Sequence, residues 1–136
     1  MHVNPYLGFK GDCEEAFKFY EQLLGGKIET MSTFAGTPME KHVPEEWRKK
    51  IVHAHMTVGE QVLMGSDAFP DHYQKPAGVS VCLGVGDLQD AERIFKALAE
   101  SGTVQMPFQK TYWAEGFGML VDRFGTPWMV IHDPAA

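Results

Sequence analysis

"VNPYLGF" (residues 3–9) runs into "KGDCEEAFKFYEQLLGG" (residues 10–26), and the same pattern returns in "VSVCLGVGDLQDAERIFKALAESG" (residues 79–102). In the first copy Val3, Pro5, Leu7 and Phe9 share one face, and Asn4, Tyr6 and Gly8 the other, the alternation of a half-buried strand. Asp12 stands in N-cap position with Glu15 three residues on, a capping box whose cap is worth about 1 kcal/mol. Cys13, Ala16, Phe17, Tyr20 and Leu24 then make one apolar stripe at helical spacing, and Gly25 and Gly26 stop the helix. In the second copy Val79, Val81, Leu83 and Val85 form the apolar face, opposite Ser80, Cys82 and Gly84. Asp87 caps the next helix, Leu88, Ala91, Phe95 and Leu98 form its stripe, and Gly102 ends it.

The stretches after the two helices also agree. "KIETMSTFA", "IVHAHMTV" and "QVLMGSD" come after the first, and "TVQMPFQKTYW", "FGMLVDRF" and "TPWMVIHD" after the second. Gly59, Gly116 and Gly125 lie beside neighbouring strands and are expected to make hairpin turns. Each half is therefore expected to be a strand, a helix and three strands. A half alone leaves one sheet face open, so the expected solution pairs the modules into a curved mixed sheet with helices outside, an α+β fold. We expect one domain over 1–136, with modules at 1–68 and 78–136. Two loops break the symmetry. "GTPMEKHVPEEWRKK" (36–50) has Pro44 placed to start a short helix, and "SDAFPDHYQKPAG" (66–78) joins the halves.

The totals narrow the function. The 136 residues are 44% apolar and 12% aromatic, a packed globule able to bury about two thirds of its unfolded surface without staples. A formal charge of −6, with no basic run, gives nucleic acid nothing to bind. Cys13 and Cys82 are far apart and form no CxxC, which reads as a reducing compartment. No apolar run reaches membrane-spanning length and no leader pattern opens the chain, so a cytoplasmic protein without membrane contact is expected.

"NPYLGFKGDCEEAFKFY", "HAHMTVGEQVLMGSD" and "KTYWAEGFGMLVDRFGTPWMVI" together resemble the PhnB-like branch of the vicinal oxygen chelate superfamily, the glyoxalase, bleomycin-resistance and dioxygenase group. The resemblance spans nearly the whole chain and implies paired βαβββ modules. In metal-dependent relatives each module offers a His on its first strand and a Glu on its last. Carried onto this chain, those positions fall near Asn4 or Pro5, near Ser80, and near Met64 and Met129. None is a His or Glu, and a thioether is a poor ligand for a hard divalent cation. We therefore expect no metal and no cofactor, and a cavity wall in "PWMVI".

The expected ligand-binding set is Tyr6, His55, Met64, Ser80, Trp113 and Met129. Amide, phenol, hydroxyl and thiol groups opposite the helix-facing apolar set, with adaptable methionines, suit a small organic molecule. The same apolar residues also read as plain core. His53 and His55, two apart on one strand face, can share a metal. Without a nearby carboxylate or Cys to complete a set, they read rather as cavity wall or subunit contact. His2, His42, His72 and His132 read as solvated. "LGVGDLQD" lacks the third glycine of a dinucleotide turn, Gln89 standing there, and no nucleophile elbow surrounds Cys82. Phe19, off the helix stripe, and Trp47 lack an obvious intrachain partner, so a homodimer is expected. Two alternatives stand beside the binding module. One is a metal-dependent lyase, isomerase or transferase of glyoxalase or antibiotic-resistance type built on His53, His55 and Glu115. The other is an activity like demethylubiquinone methyltransferase, a name some PhnB-like sequences carry.

Overall fold

The computed structural model describes residues 1–136, which divide into two units, Met1–Gln74 and Lys75–Ala136. The first contains β1 (Tyr6–Phe9), α1 (Cys13–Leu24), β2 (Lys27–Thr33), β3 (Ile51–Val58) and β4 (Gln61–Asp67). Its sheet runs β1-β4-β3-β2, with β1 parallel to β4 and the other pairs antiparallel. The second repeats the plan with β5 (Val81–Val85), α2 (Leu88–Ala99), β6 (Thr103–Gln109), β7 (Phe117–Val121) and β8 (Pro127–His132), in the order β5-β8-β7-β6.

Alternation decides what each sheet face does. In the first unit Phe9, Ala54, Met56 and Leu63 are buried against Cys13, Ala16, Phe17 and Tyr20 of α1. Phe9 meets Phe17 edge-on, ring centroids 6.0 Å apart, a preferred aromatic geometry. Gly65 lets Phe17 lie flush on the sheet, since a Cβ there would sit 2.9 Å from both the Leu7 carbonyl oxygen and the Phe17 ring. In the second unit Leu120, Trp128 and Val130 are buried with Ala91, Phe95 and Leu98 of α2.

Several local expectations give way to tertiary partners. The first strand starts at Tyr6, and Val3 is exposed. Asp12 occupies the N-cap of α1 but makes no side-chain cap. Instead Oδ1 of Asp67, 54 residues on from Cys13, accepts from the backbone N–H of Gly11 at 2.9 Å and of Cys13 at 3.0 Å. Asp87 does cap α2, accepting from the Asp90 N–H at 2.9 Å. Gly25 closes α1 at φ +68°, whereas after α2 the left-handed residue is Ser101 at φ +59°. Gly102 is needed for space, because a Cβ there would collide with the Val121 carbonyl oxygen. Gly59 and Gly125 take the left-handed turn positions expected of them. Gly116 is no turn glycine, being buried where a Cβ would strike the Phe108 ring.

The loop 36–50 holds two short 3-10 turns, Pro38–His42 and Glu45–Trp47, the second opened by Pro44. Trp47 is not an interface group without a partner. It is buried with Phe34 and Val43, and its ring lies 6.0 Å from that of Phe69. Phe19 likewise has an intrachain neighbour, the Tyr20 ring at 5.9 Å. No helix is long and apolar enough to cross a membrane.

Candidate functional site

In the first unit, the sheet face turned away from α1 carries a row set by register. Thr30 lies opposite His55, His55 opposite Met64, and Met64 beside Tyr6. Residues paired in register share a face, so Tyr6, His55 and Met64, all expected as ligand-binding, come together. His53 joins them. The Tyr6 phenol reaches across β4, its oxygen 3.1 Å from His53 Nδ1, a hydrogen bond that either imidazole tautomer can make. The two rings stack at 5.8 Å with an interplanar angle of 27°, and the His53 and His55 rings meet edge-on at 6.4 Å. His53, His55 and Met64 are half-buried, and Tyr6 is 51% exposed. This face therefore presents two imidazoles, a phenol and a thioether on three rigid strands.

The other three expected residues belong to the second unit. Met129 lies beside Cys82 and opposite Met119 on the face away from α2. Ser80 is half-buried just before β5 begins. Trp113 sits in the segment between β6 and β7, half exposed, edge-on to Tyr112 at 4.7 Å and to Phe117 at 5.4 Å. Phe117 shares its face with Met119, so the indole rests at the end of that open face.

The hard divalent ion implied by the resemblance does not fit these donors. Beside Met64 stand a phenol and one imidazole, and beside Met129 a thiol and a second thioether. Such an ion takes carboxylate, carbonyl and water oxygens. No group of three His, Cys, Asp or Glu side chains is placed to hold a metal ion. Of the alternative trio, His53 is engaged by Tyr6, and Glu115, in the other unit, lies 3.7 Å from Lys110.

Beneath the first unit's row lies Asp67, which sequence reading did not single out. It is 4% exposed, and its Oδ2 accepts from the Ile51 N–H at 2.8 Å while Oδ1 serves Gly11 and Cys13. One carboxylate thus ties the end of β4 to the start of α1 and the start of β3. Its signal was parity, because Asp67 falls on the same side of β4 as Leu63 and Gly65, where an acid must find donors. Nearby, burial pushes the Asp12 carboxyl above its ordinary range, and the Asp67 charge adds to this. Burial also pushes the Cys13 thiol far up, and lifts Cys82 more mildly. In the second unit Asp122 organises the turn before β8, accepting from Phe124 N–H and Thr126 N–H at 2.9 Å and from the Trp128 indole at 2.8 Å. His132, expected in solvent, is half-buried and bonds the Gly86 carbonyl through Nε2 at 3.1 Å.

Away from the row, the loop 36–50 and residues 69–72 enclose a cavity of about 320 Å³ lined by His42, Glu46, Trp47, Phe69, Asp71 and His72, among others. The Trp47 indole N–H is buried without an acceptor.

The comparisons with known proteins agree with this fold. The family model described as 3-demethylubiquinone-9 3-methyltransferase matches residues 1–131. Protein YjdN of Escherichia coli is 31% identical, the match covering 96% of this chain and 94% of the relative. The crystal structure of PA1353 from Pseudomonas aeruginosa is 46% identical with a TM-score of 0.89, covering 98% of each chain. A Bacillus cereus structure, described as a putative 3-demethylubiquinone-9 3-methyltransferase, PhnB protein, has a TM-score of 0.84 at 23% identity, covering 98% of this chain and 100% of that one. More distant solved structures share the glyoxalase and bleomycin-resistance fold. Two βαβββ units with this register, and a family match over residues 1–131, place the chain in the 3-demethylubiquinone-9 3-methyltransferase family.

Proposed function

We propose that the protein binds a small organic molecule on the open face of the first unit's sheet, without the hard metal ion of its distant relatives. The observation that carries this is the cross-strand row of His55, Met64 and Tyr6, with His53 locked to the phenol. Buried packing does not call for two imidazoles and a phenol on one half-open face. A ligand with an apolar body and one or two hydrogen-bonding groups does. Met64 supplies an adaptable apolar floor. His55 is the free polar anchor, and the Tyr6–His53 pair presents a hydrogen-bonding edge whose orientation is already fixed. No Lys or Arg stands in that row, so an uncharged or weakly polar ligand suits it better than a phosphate.

The family's description names methyl transfer, which calls for a methyl-donor nucleotide. Backbone amides at a strand-to-helix turn commonly cradle such groups. At the β1–α1 turn those of Gly11 and Cys13 are already taken by Asp67, which favours the binding reading.

Native mass spectrometry of the freshly purified protein tests the proposal, reporting bound molecule, metal and subunit count together. The expected result is an organic adduct that is lost in His55→Ala and weakened in Tyr6→Phe. A stoichiometric, tightly held divalent ion, or an adduct untouched by both substitutions, overturns it.

A further inference from the structure

The second unit concentrates its sulfur. Residues 75–136 contain three methionines, Met106, Met119 and Met129, and one cysteine, Cys82. Register puts all four in one line across the sheet. Met106 on β6 lies opposite Met119 on β7, Met119 opposite Met129 on β8, and Met129 beside Cys82 on β5. Partners in register point to the same face, here the one away from α2. The α2-facing positions of these strands are filled by Val81, Leu83, Leu120, Trp128 and Val130 instead. Sulfur is therefore absent from the packed face and complete on the open one. The equivalent line in the first unit reads Thr30, His55, Met64 and Tyr6. Only one of its four places is sulfur, so the row is not a by-product of the repeat.

Adjacent strands lie about 4.8 Å apart, so Cys82, Met129 and Met119 span about 10 Å of backbone. The three rotatable bonds of each methionine let its sulfur lean over that span toward the short Cys82 side chain. Met106 is one strand further and out of reach of a common point with Cys82. Cys82 is exposed and the methionines are half-buried, so an ion can enter from solvent. Thiolate and thioether donors without oxygen select soft monovalent copper over hard divalent ions. We propose that Cys82, Met129 and Met119 form a binding site for a soft monovalent metal ion, Cu(I). The site is built wholly from the second unit, so it stands or falls independently of ligand binding by the first.

Cys82 binds as the thiolate, so binding releases its proton.

The test uses Ag(I), a redox-inert stand-in, titrated into metal-free protein and followed by native mass spectrometry and thiolate-to-metal ultraviolet absorption. One ion is expected, retained against excess Mg(II) and Zn(II). Even outer groups around a metal alter affinity by about tenfold or more, so Cys82→Ser and the double change Met119→Leu with Met129→Leu are each expected to exceed that. Met106→Leu is expected to bind as the parent does. Leucine keeps volume, and circular dichroism of each variant verifies the fold. Retention of the ion in Cys82→Ser would show that other donors hold it and overturn the proposal. Unchanged affinity in the double methionine variant would do the same, since a bare thiol would then suffice.

Discussion

Changing Asp67 to asparagine removes a charge and one acceptor oxygen while leaving the shape of the side chain intact. Oδ1 serves two backbone donors, Gly11 at 2.9 Å and Cys13 at 3.0 Å, and Oδ2 serves Ile51 at 2.8 Å. If the asparagine oxygen keeps the first two, its NH2 group confronts the Ile51 N–H donor to donor. Leaving that buried N–H unpaired costs about 1–3 kcal/mol. Turning the other two bonds from charge-assisted to neutral removes roughly another 1–2 kcal/mol. Against this, the repulsion between Asp67 and Asp12 disappears, a smaller gain because Asp12 is half-exposed and screened by water. A net loss of about 2–4 kcal/mol is expected. Equilibrium urea unfolding followed by circular dichroism measures it as a lower midpoint at unchanged slope. Glu60→Gln, on an exposed hairpin, serves as the control and is expected to stay within about 0.5 kcal/mol of the parent. A loss below about 1 kcal/mol in Asp67→Asn would refute the claim that this carboxylate organises the turn.

The same region yields two more expected outcomes. Asp12 has its folded-state carboxyl raised above the ordinary 3.8, chiefly by burial, with Oδ1 lacking a partner. The fold therefore favours its neutral form, a contribution fully present below 3.8 and lost as pH rises through the raised value. Asp12→Asn is expected to melt with the parent at acid pH and above it at pH 7, and equal melting at pH 7 would count against this. Gly65→Ala places a Cβ 2.9 Å from the Leu7 carbonyl oxygen, an overpacking cost of about 1–3 kcal/mol. Gly8→Ala, with nothing within 4 Å of the new Cβ, is expected to gain roughly 0.5 kcal/mol. Thermal melts that rank the two the other way would contradict the register.

Local patterns carried the fold because each element repeats at its own period. The strand alternation separated Tyr6 from Phe9, and the structure keeps that division. Alternation within each strand left it to register to bring Tyr6, His55 and Met64 onto one face. It could not show that the phenol crosses a strand to reach His53, because that contact spans 47 residues. For the same reason the capping box at Asp12 and Glu15 misled. A locally available acceptor lost to Asp67, delivered from the far end of the unit. Trp47 looked solitary for want of any local cue to Phe69, 22 residues on, which the joining loop brings beside it. Gly116 looked like a turn because sequence does not distinguish a glycine needed for φ from one needed for space.

Within each unit the first strand hydrogen-bonds only to the last, β1 to β4 and β5 to β8. A ribosome therefore releases β1 well before its only pairing partner exists. At about 5–20 residues per second, the 58 positions from Phe9 to Asp67 take roughly 3–12 seconds to translate. Throughout that interval the amino-terminal strand and the β4 side of the growing sheet have no mate, and α1 has only part of its floor. A translational pause inside that stretch prolongs an aggregation-prone nascent chain, whereas one placed late enough for Gln74 to have left the ribosome finds the first unit complete.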